Sequence, residues 1–167
     1  MKTLFLLRHA KADNPTTGLT DLNRALNERG KNEAQVIGTF LKKHNQKVNL
    51  VLCSTAVRAR QTTELVLAAA ELTVDVRYDE RIYEAGPLRL WELISEIGED
   101  VSAVLVVGHN PGMEELLTIL TGRNEQMATG TLAKIDLDVD QWRNVLQDKV
   151  GAGTFDWIVK PSDPGSG

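Results

Sequence analysis

The chain has 167 residues, 42% hydrophobic and 25% charged, which supplies one packed core and leaves little length for a second domain. Nineteen Lys and Arg against 23 Asp and Glu give a formal charge of −4, with no basic block to follow a nucleic-acid backbone. No apolar run reaches membrane-spanning length, and the single cysteine, Cys53, excludes an internal disulfide or a cysteine-built zinc cage. The expectation is a cytoplasmic protein without nucleic-acid or membrane partners, with one domain over residues 1–160 and residues 161–167 as a loose tail.

Taken in chain order, Thr3–Leu7 is an apolar run that reads as a buried parallel strand and is followed at once by Arg8-His9. Ala10–Asn27 carries no periodic pattern, and a long loop directly after a strand often carries function. Lys31–His44 predicts a helix, with Ala34, Ile37, Phe40 and Leu41 at three- and four-residue spacing and Gly30 as the breaker before it. Val48–Cys53 is a second buried strand, followed by Ser54-Thr55 and then Arg58. Good helix formers run from Ala56 through Thr63–Leu72, and Leu88–Ile97 presents a further apolar helical face.

Ala103–Val107 is the third buried strand, ending in Gly108-His109-Asn110. Pro111 opens a helix capped by Asn110 and stopped by Gly122. Lys134–Val139 and Thr154–Trp157 alternate polar and apolar residues, which predicts half-exposed edge strands closing the sheet in antiparallel fashion. The alternation of strands and helices argues for an α/β sandwich with a largely parallel central sheet.

In an open parallel sheet, ligands bind outside the carboxyl ends of the strands, where this chain carries Arg8-His9, Arg58 and His109. Two guanidinium forks and two imidazoles at one point suit a phosphoryl dianion. The arginines match its oxygens pairwise, and an imidazole attacks, donates or accepts according to its protonation. The helix at Pro111 adds partial positive charge beside His109. Each residue also has an ordinary structural reading: the arginines as surface ion-pair partners, His109 as a packed strand terminus. Arg60 is the alternative phosphate ligand to Arg58. His44, in Lys42-Lys43-His44, suits the carboxyl end of a helix and receives no site role, and Cys53 reads as a small core residue.

Leu6-Leu7-Arg8-His9-Ala10 resembles the signature of the histidine phosphatase superfamily, whose fold is also called phosphoglycerate mutase-like. Cys53-Ser54-Thr55-Ala56-Val57-Arg58-Ala59-Arg60-Gln61-Thr62 resembles its second block and Val107-Gly108-His109 its third, so the resemblance covers nearly the whole chain. Asn110-Pro111-Gly112, the Arg8-His9-Ala10-Lys11 opening, and Arg24 with Leu26 and Gly30 most resemble the SixA-type phosphohistidine phosphatases. Ala25 departs from the proline common in that branch, which touches loop stiffness rather than chemistry. The resemblance implies a three-layer sandwich without a large insertion. It also implies His9 as the nucleophile that carries a covalent phosphohistidine. Arg8, Arg58 and His109 would bind the substrate phosphate and stabilise its transition-state charge, with no cofactor and no metal.

By the same resemblance, an acid on a neighbouring loop protonates the leaving group. Glu80, in Asp79-Glu80-Arg81-Ile82-Tyr83, is the candidate and Glu84 its rival; the ordinary reading pairs Glu80 with Arg77 or Arg81. An alkoxide leaving a phosphomonoester needs a proton more than an imidazole leaving phosphohistidine. With only Glu84–Ser102 between this region and the third strand, there is little material for a lid. The expected substrate is a phosphorylated protein, such as a phosphotransfer domain or phosphocarrier; a small phosphate ester is the alternative. A non-catalytic phosphate-reading module would need no His9, a mutase generally uses more surrounding structure, and a metal hydrolase needs more ligands than His9, His109 and His44 provide.

Overall fold

Apolar runs that can be covered on both faces become the inner strands, and the helical patterns between them supply the covers. The computed structural model describes residues 1–147 and 153–162. In chain order the elements are β1 (Lys2–Arg8), α1 (Glu28–Lys43), β2 (Leu50–Cys53), α2 (Val57–Ala70), β3 (Asp75–Tyr78), α3 (Pro87–Ser95), β4 (Ala103–Gly108), α4 (Gly112–Thr121), β5 (Leu132–Leu137) and β6 (Gly153–Val159). Short 3-10 turns occur at Asp21–Asn23, Glu80–Ile82 and Trp142–Gln147. The described strands form a six-stranded sheet in the order β3-β2-β4-β1-β5-β6. β3, β2, β4 and β1 run parallel; β5 is antiparallel to β1, and β6 to β5.

The period-two alternation of a strand sorts the core into two clusters. Leu4, Leu6, Leu52, Val104 and Val106 face Leu90, Ile94, Met113 and Leu117 of α3 and α4. Phe5, Leu7, Val51, Cys53, Leu105 and Val107 face Ala34, Ile37, Leu41, Ala59 and Val66 of α1 and α2. The result is an α/β sandwich with a largely parallel sheet, as the alternation predicts, in the three layers that the resemblance implies. Each fully buried leucine contributes about 2 kcal/mol relative to exposure, so both faces are firmly closed.

The structure corrects four details. Gly30 does not precede α1 but lies in its first turn, because Asn27 caps the helix with Oδ1 accepting the Gly30 N–H at 2.9 Å. Gly30 is needed for space: a Cβ there would stand 2.0 Å from the Lys11 carbonyl oxygen. Asn110 does not cap α4; Pro111 occupies that position, and Asn110 Nδ2 donates instead to Glu114 Oε1 and the Met127 carbonyl. Of the two antiparallel strands, only β6 is an edge, since β5 is flanked by β1 and β6. The other edge is β3, whose exposed Asp75–Tyr78 lacks a clean alternation and gave no strand signal. Of the expected tail, residues 163–167 lie outside the described residues. No helix among the described residues is long and apolar enough to cross a membrane.

Candidate active site

The site forms because β2, β4 and β1 are adjacent and end together. Arg8 pairs with Gly108 and Cys53 with Val107, so the residues that follow each strand emerge side by side. The His9 N–H donates to the Gly108 carbonyl at 3.0 Å, and the rings of His9 and His109 lie 5.0 Å apart between centroids. Arg58 enters from the first turn of α2, which starts above the end of β2. Its Nη2 is 3.4 Å from His109 Nδ1. Arg8, His9, Arg58 and His109 thereby line one cleft of about 270 Å³, with Lys11 and Arg24 also on its wall.

The hydrogen bonds fix the protonation of both rings. His9 Nδ1 lies 2.8 Å from the Ala10 carbonyl; a carbonyl only accepts, so Nδ1 carries the hydrogen and Nε2 holds the lone pair. An arginine nitrogen only donates, so His109 Nδ1 accepts from Arg58, and its Nε2–H donates to Ser54 Oγ at 2.7 Å. Burial pushes His9 down to about 3, with His109, Arg58 and Arg8 adding to the shift against the opposing Ala10 hydrogen bond. Burial, followed by Arg58, pushes His109 down to about 4. Both imidazoles are therefore neutral near pH 7, and His9 offers a lone pair. The Nε groups of Arg8 and Arg58 are buried without a hydrogen-bond partner.

Arg58 is held from outside by Asp21. Its Nη1 donates to the Asp21 carbonyl at 2.7 Å and its Nη2 to Asp21 Oδ2 at 3.0 Å. The Tyr83 hydroxyl also donates to Oδ2, and Arg24 donates to Oδ1 at 2.9 Å. The Tyr83 hydrogen bond, with Arg24 and Arg58, holds the Asp21 carboxyl well below the usual carboxylate range. The loop after β1 is anchored by α2: the Ala10 N–H donates to Thr62 Oγ1 at 3.0 Å, and the Leu26 N–H to Gln61 Oε1 at 2.7 Å.

The remaining candidates lie elsewhere. Glu80 is exposed and, with Glu84, lines a separate groove beside Arg81 and Arg89. Arg60 stacks over Tyr78, its guanidinium carbon 4.5 Å from the ring centroid. His44 ends α1 against Phe40. Cys53 is buried, with its thiol pushed up to about 12 by burial. Sequence reasoning missed Asp21, Ser54, Tyr83 and Glu33. Two left a signal: Ser54, as a polar residue directly after a buried strand, and Glu33, as a charge on the apolar stripe that runs through Ala34, Ile37 and Leu41. Among the described residues, no group of three or more His, Cys, Asp or Glu could hold a metal ion.

Residues 4–89 match the model of the histidine phosphatase superfamily (branch 1). An uncharacterized protein of Mycobacterium tuberculosis is 42% identical over 114 residues, covering 68% of this chain and 69% of that one. Phosphohistidine phosphatase SixA of Escherichia coli is 28% identical over 162 residues, covering 95% and 93%. A solved structure from Nakamurella multipartitia, described as a phosphohistidine phosphatase SixA, superposes with a TM-score of 0.84 at 28% identity and 97% coverage of both chains.

Proposed function

Because the chain belongs to the histidine phosphatase superfamily, we propose that this phosphatase removes phosphate from phosphohistidine on a protein through a covalent intermediate on His9. The observation that carries the reading is the convergence of a neutral, Nε2-nucleophilic His9 with Arg8, Arg58 and His109 on the wall of one cleft.

His9 Nε2 attacks phosphorus as the bond to the substrate nitrogen breaks. The leaving ring, protonated at its other nitrogen, departs as neutral imidazole with the electron pair. Arg8 and Arg58 hold the phosphoryl oxygens and stabilise the charge spread over them. His109, oriented by Ser54, joins them as the ring protonated at Nδ1, a form that a bound dianion favours. The protein's own cations thus do the work that a metal would otherwise do. Water then attacks phosphorus, the bond to Nε2 breaks with its electrons returning to His9, and dihydrogen phosphate leaves with the water's oxygen and both hydrogens. Between the turn at Glu80–Ile82 and β4 the chain inserts only α3, with no long segment to close over the cleft, which favours a leaving group presented from outside by a macromolecule. The exposure of Glu80 points the same way, since an alkoxide leaving group would need an acid in the cleft.

The test offers the protein a phosphohistidine-bearing phosphotransfer domain and p-nitrophenyl phosphate in parallel, with intact-mass trapping of the enzyme. Faster turnover of the phosphoprotein and an acid-labile phosphate on His9 are expected, with His9→Ala folded and inactive. Good turnover of the ester alone assigns a small-molecule phosphatase instead. Turnover near the parent rate in His9→Ala removes the proposed nucleophile.

A further inference from the structure

Glu33 is a carboxylate buried to 8% exposure on the core-facing side of α1. A charge placed there costs free energy unless its partners are well formed, so the partners indicate what it is for. Glu33 Oε1 accepts the Lys11 backbone N–H at 2.8 Å, and Oε2 accepts the Thr129 hydroxyl at 3.2 Å, with Arg29 Nε at 3.6 Å. The Lys11 N–H and the Ala10 carbonyl belong to one peptide group, and that carbonyl accepts the His9 Nδ1–H at 2.8 Å. Hydrogen bonds in series polarise one another, so an anion on the N–H side of a peptide makes its oxygen a better acceptor. The two bonds form one chain, carboxylate to peptide to imidazole.

We infer that Glu33 is a positioning residue for His9. Through the Ala10–Lys11 peptide it holds the imidazole as the Nδ1–H tautomer, leaving Nε2 free to take the phosphoryl group. The inference rests on His9 being the nucleophile. A free imidazole has both tautomers available, so the surroundings must select one. They do so by clamping residues 9–11 from two sides. On one side the Lys11 carbonyl accepts the Asn27 N–H at 3.1 Å and lies against Gly30. On the other, the Gly130 N–H contacts the Arg8 and His9 carbonyls, each at 3.1 Å, at a φ of +74° that suits glycine. Glu33 bridges the two sides through Lys11 and Thr129. Its charge lies behind the peptide, where it favours the developing charge on a phosphorylated ring without itself touching substrate.

The test compares the parent with Glu33→Gln and Glu33→Leu by nitrogen NMR of the His9 ring, phosphate affinity, kcat and KM on p-nitrophenyl phosphate, and thermal unfolding. Glu33→Gln keeps an acceptor for the Lys11 N–H but loses the charge. It is expected to keep the Nδ1–H tautomer and lose about tenfold in kcat, with KM and phosphate affinity within about twofold. Glu33→Leu removes the acceptor and is expected to show mixed His9 tautomers and a loss in kcat of about a hundredfold. A Glu33→Gln kcat within about twofold of the parent, or a loss that appears in KM and phosphate affinity instead, overturns the inference. So does a folded Glu33→Leu whose His9 remains wholly Nδ1–H. Should Glu33→Leu not fold, the Glu33→Gln values decide. If the parent never forms phosphorylated His9, the proposed function fails, and the tautomer comparison still decides this separate claim.

Discussion

The burial of two neutral imidazoles predicts a specific acid sensitivity of the fold. In the unfolded chain a histidine protonates near pH 6.5, whereas His9 is held down to about 3 and His109 to about 4, first by burial. Between those values the unfolded state binds more protons than the folded one. Stability is therefore complete above about pH 6.5 and falls as the pH drops through the window to about 4. Each ring contributes a slope approaching about 1.4 kcal/mol per pH unit, so moving from pH 7.5 to pH 5 costs about 2 kcal/mol per ring and about 4 kcal/mol for the pair. Asp21 adds little between pH 7.5 and pH 5, because a carboxyl held below its usual range is almost wholly ionised in both states over that interval.

The assay is urea denaturation from pH 8 to pH 4.5 at fixed ionic strength on the parent, His9→Asn and His109→Asn. Each replacement is expected to remove about half of the loss between pH 7.5 and pH 5, whatever it does to absolute stability. A parent that loses less than about 1 kcal/mol over that interval, or variants that keep the full parental slope, would refute the claim that these rings are buried neutral.

Two further predictions concern the site. Glu80→Gln is expected to change kcat/KM on p-nitrophenyl phosphate by less than about twofold, because Glu80 is exposed on a separate groove. A loss of about tenfold or more in steady-state kinetics would mean that Glu80 reaches the cleft during turnover. Ser54→Ala strips the partner from His109 Nε2, now 2.7 Å from the hydroxyl, and leaves a buried N–H unpaired. It is expected to lower kcat/KM about tenfold while the protein stays folded; a change below about twofold would show that the ring is oriented by Arg58 alone.

The parts legible in the sequence are those that repeat a local pattern. Thr3–Leu7 and Ala103–Val107 announce inner strands because both faces are apolar, and the polar residues directly after them announce the carboxyl-end site. Strand register then brings His9 beside His109 without further information. What stayed hidden depends on contacts between distant segments. Nothing in Asp21-Leu22-Asn23-Arg24 says that Asp21 meets Arg58 and Tyr83, since that meeting is made by loop closure across the sheet ends. Gly30 looked like a breaker because glycine ends helices more often than it admits a neighbouring backbone, and only the tertiary approach of Lys11 distinguishes the two. Edge strand β3 was missed for a related reason: with one pairing partner and exposed side chains, it needs no hydrophobic alternation.

The arrangement of charge around the cleft resolves a conflict inherent in its chemistry. Arginines that grip a phosphoryl dianion also withdraw basicity from an imidazole that must share a lone pair, as the contributions of Arg8 and Arg58 to the lowered His9 show. Compensating negative charge cannot face the cleft, where it would repel the substrate. The structure puts it behind the groups that need it: Asp21 backs Arg58 from the loop, and Glu33 backs His9 through a peptide. Asp21 thereby keeps the Arg58 guanidinium oriented. A bound dianion would then supply the negative charge that the imidazoles lack in the empty cleft. It follows that substrate binding itself raises the basicity of His9, making the ring a better nucleophile when phosphorus is in place.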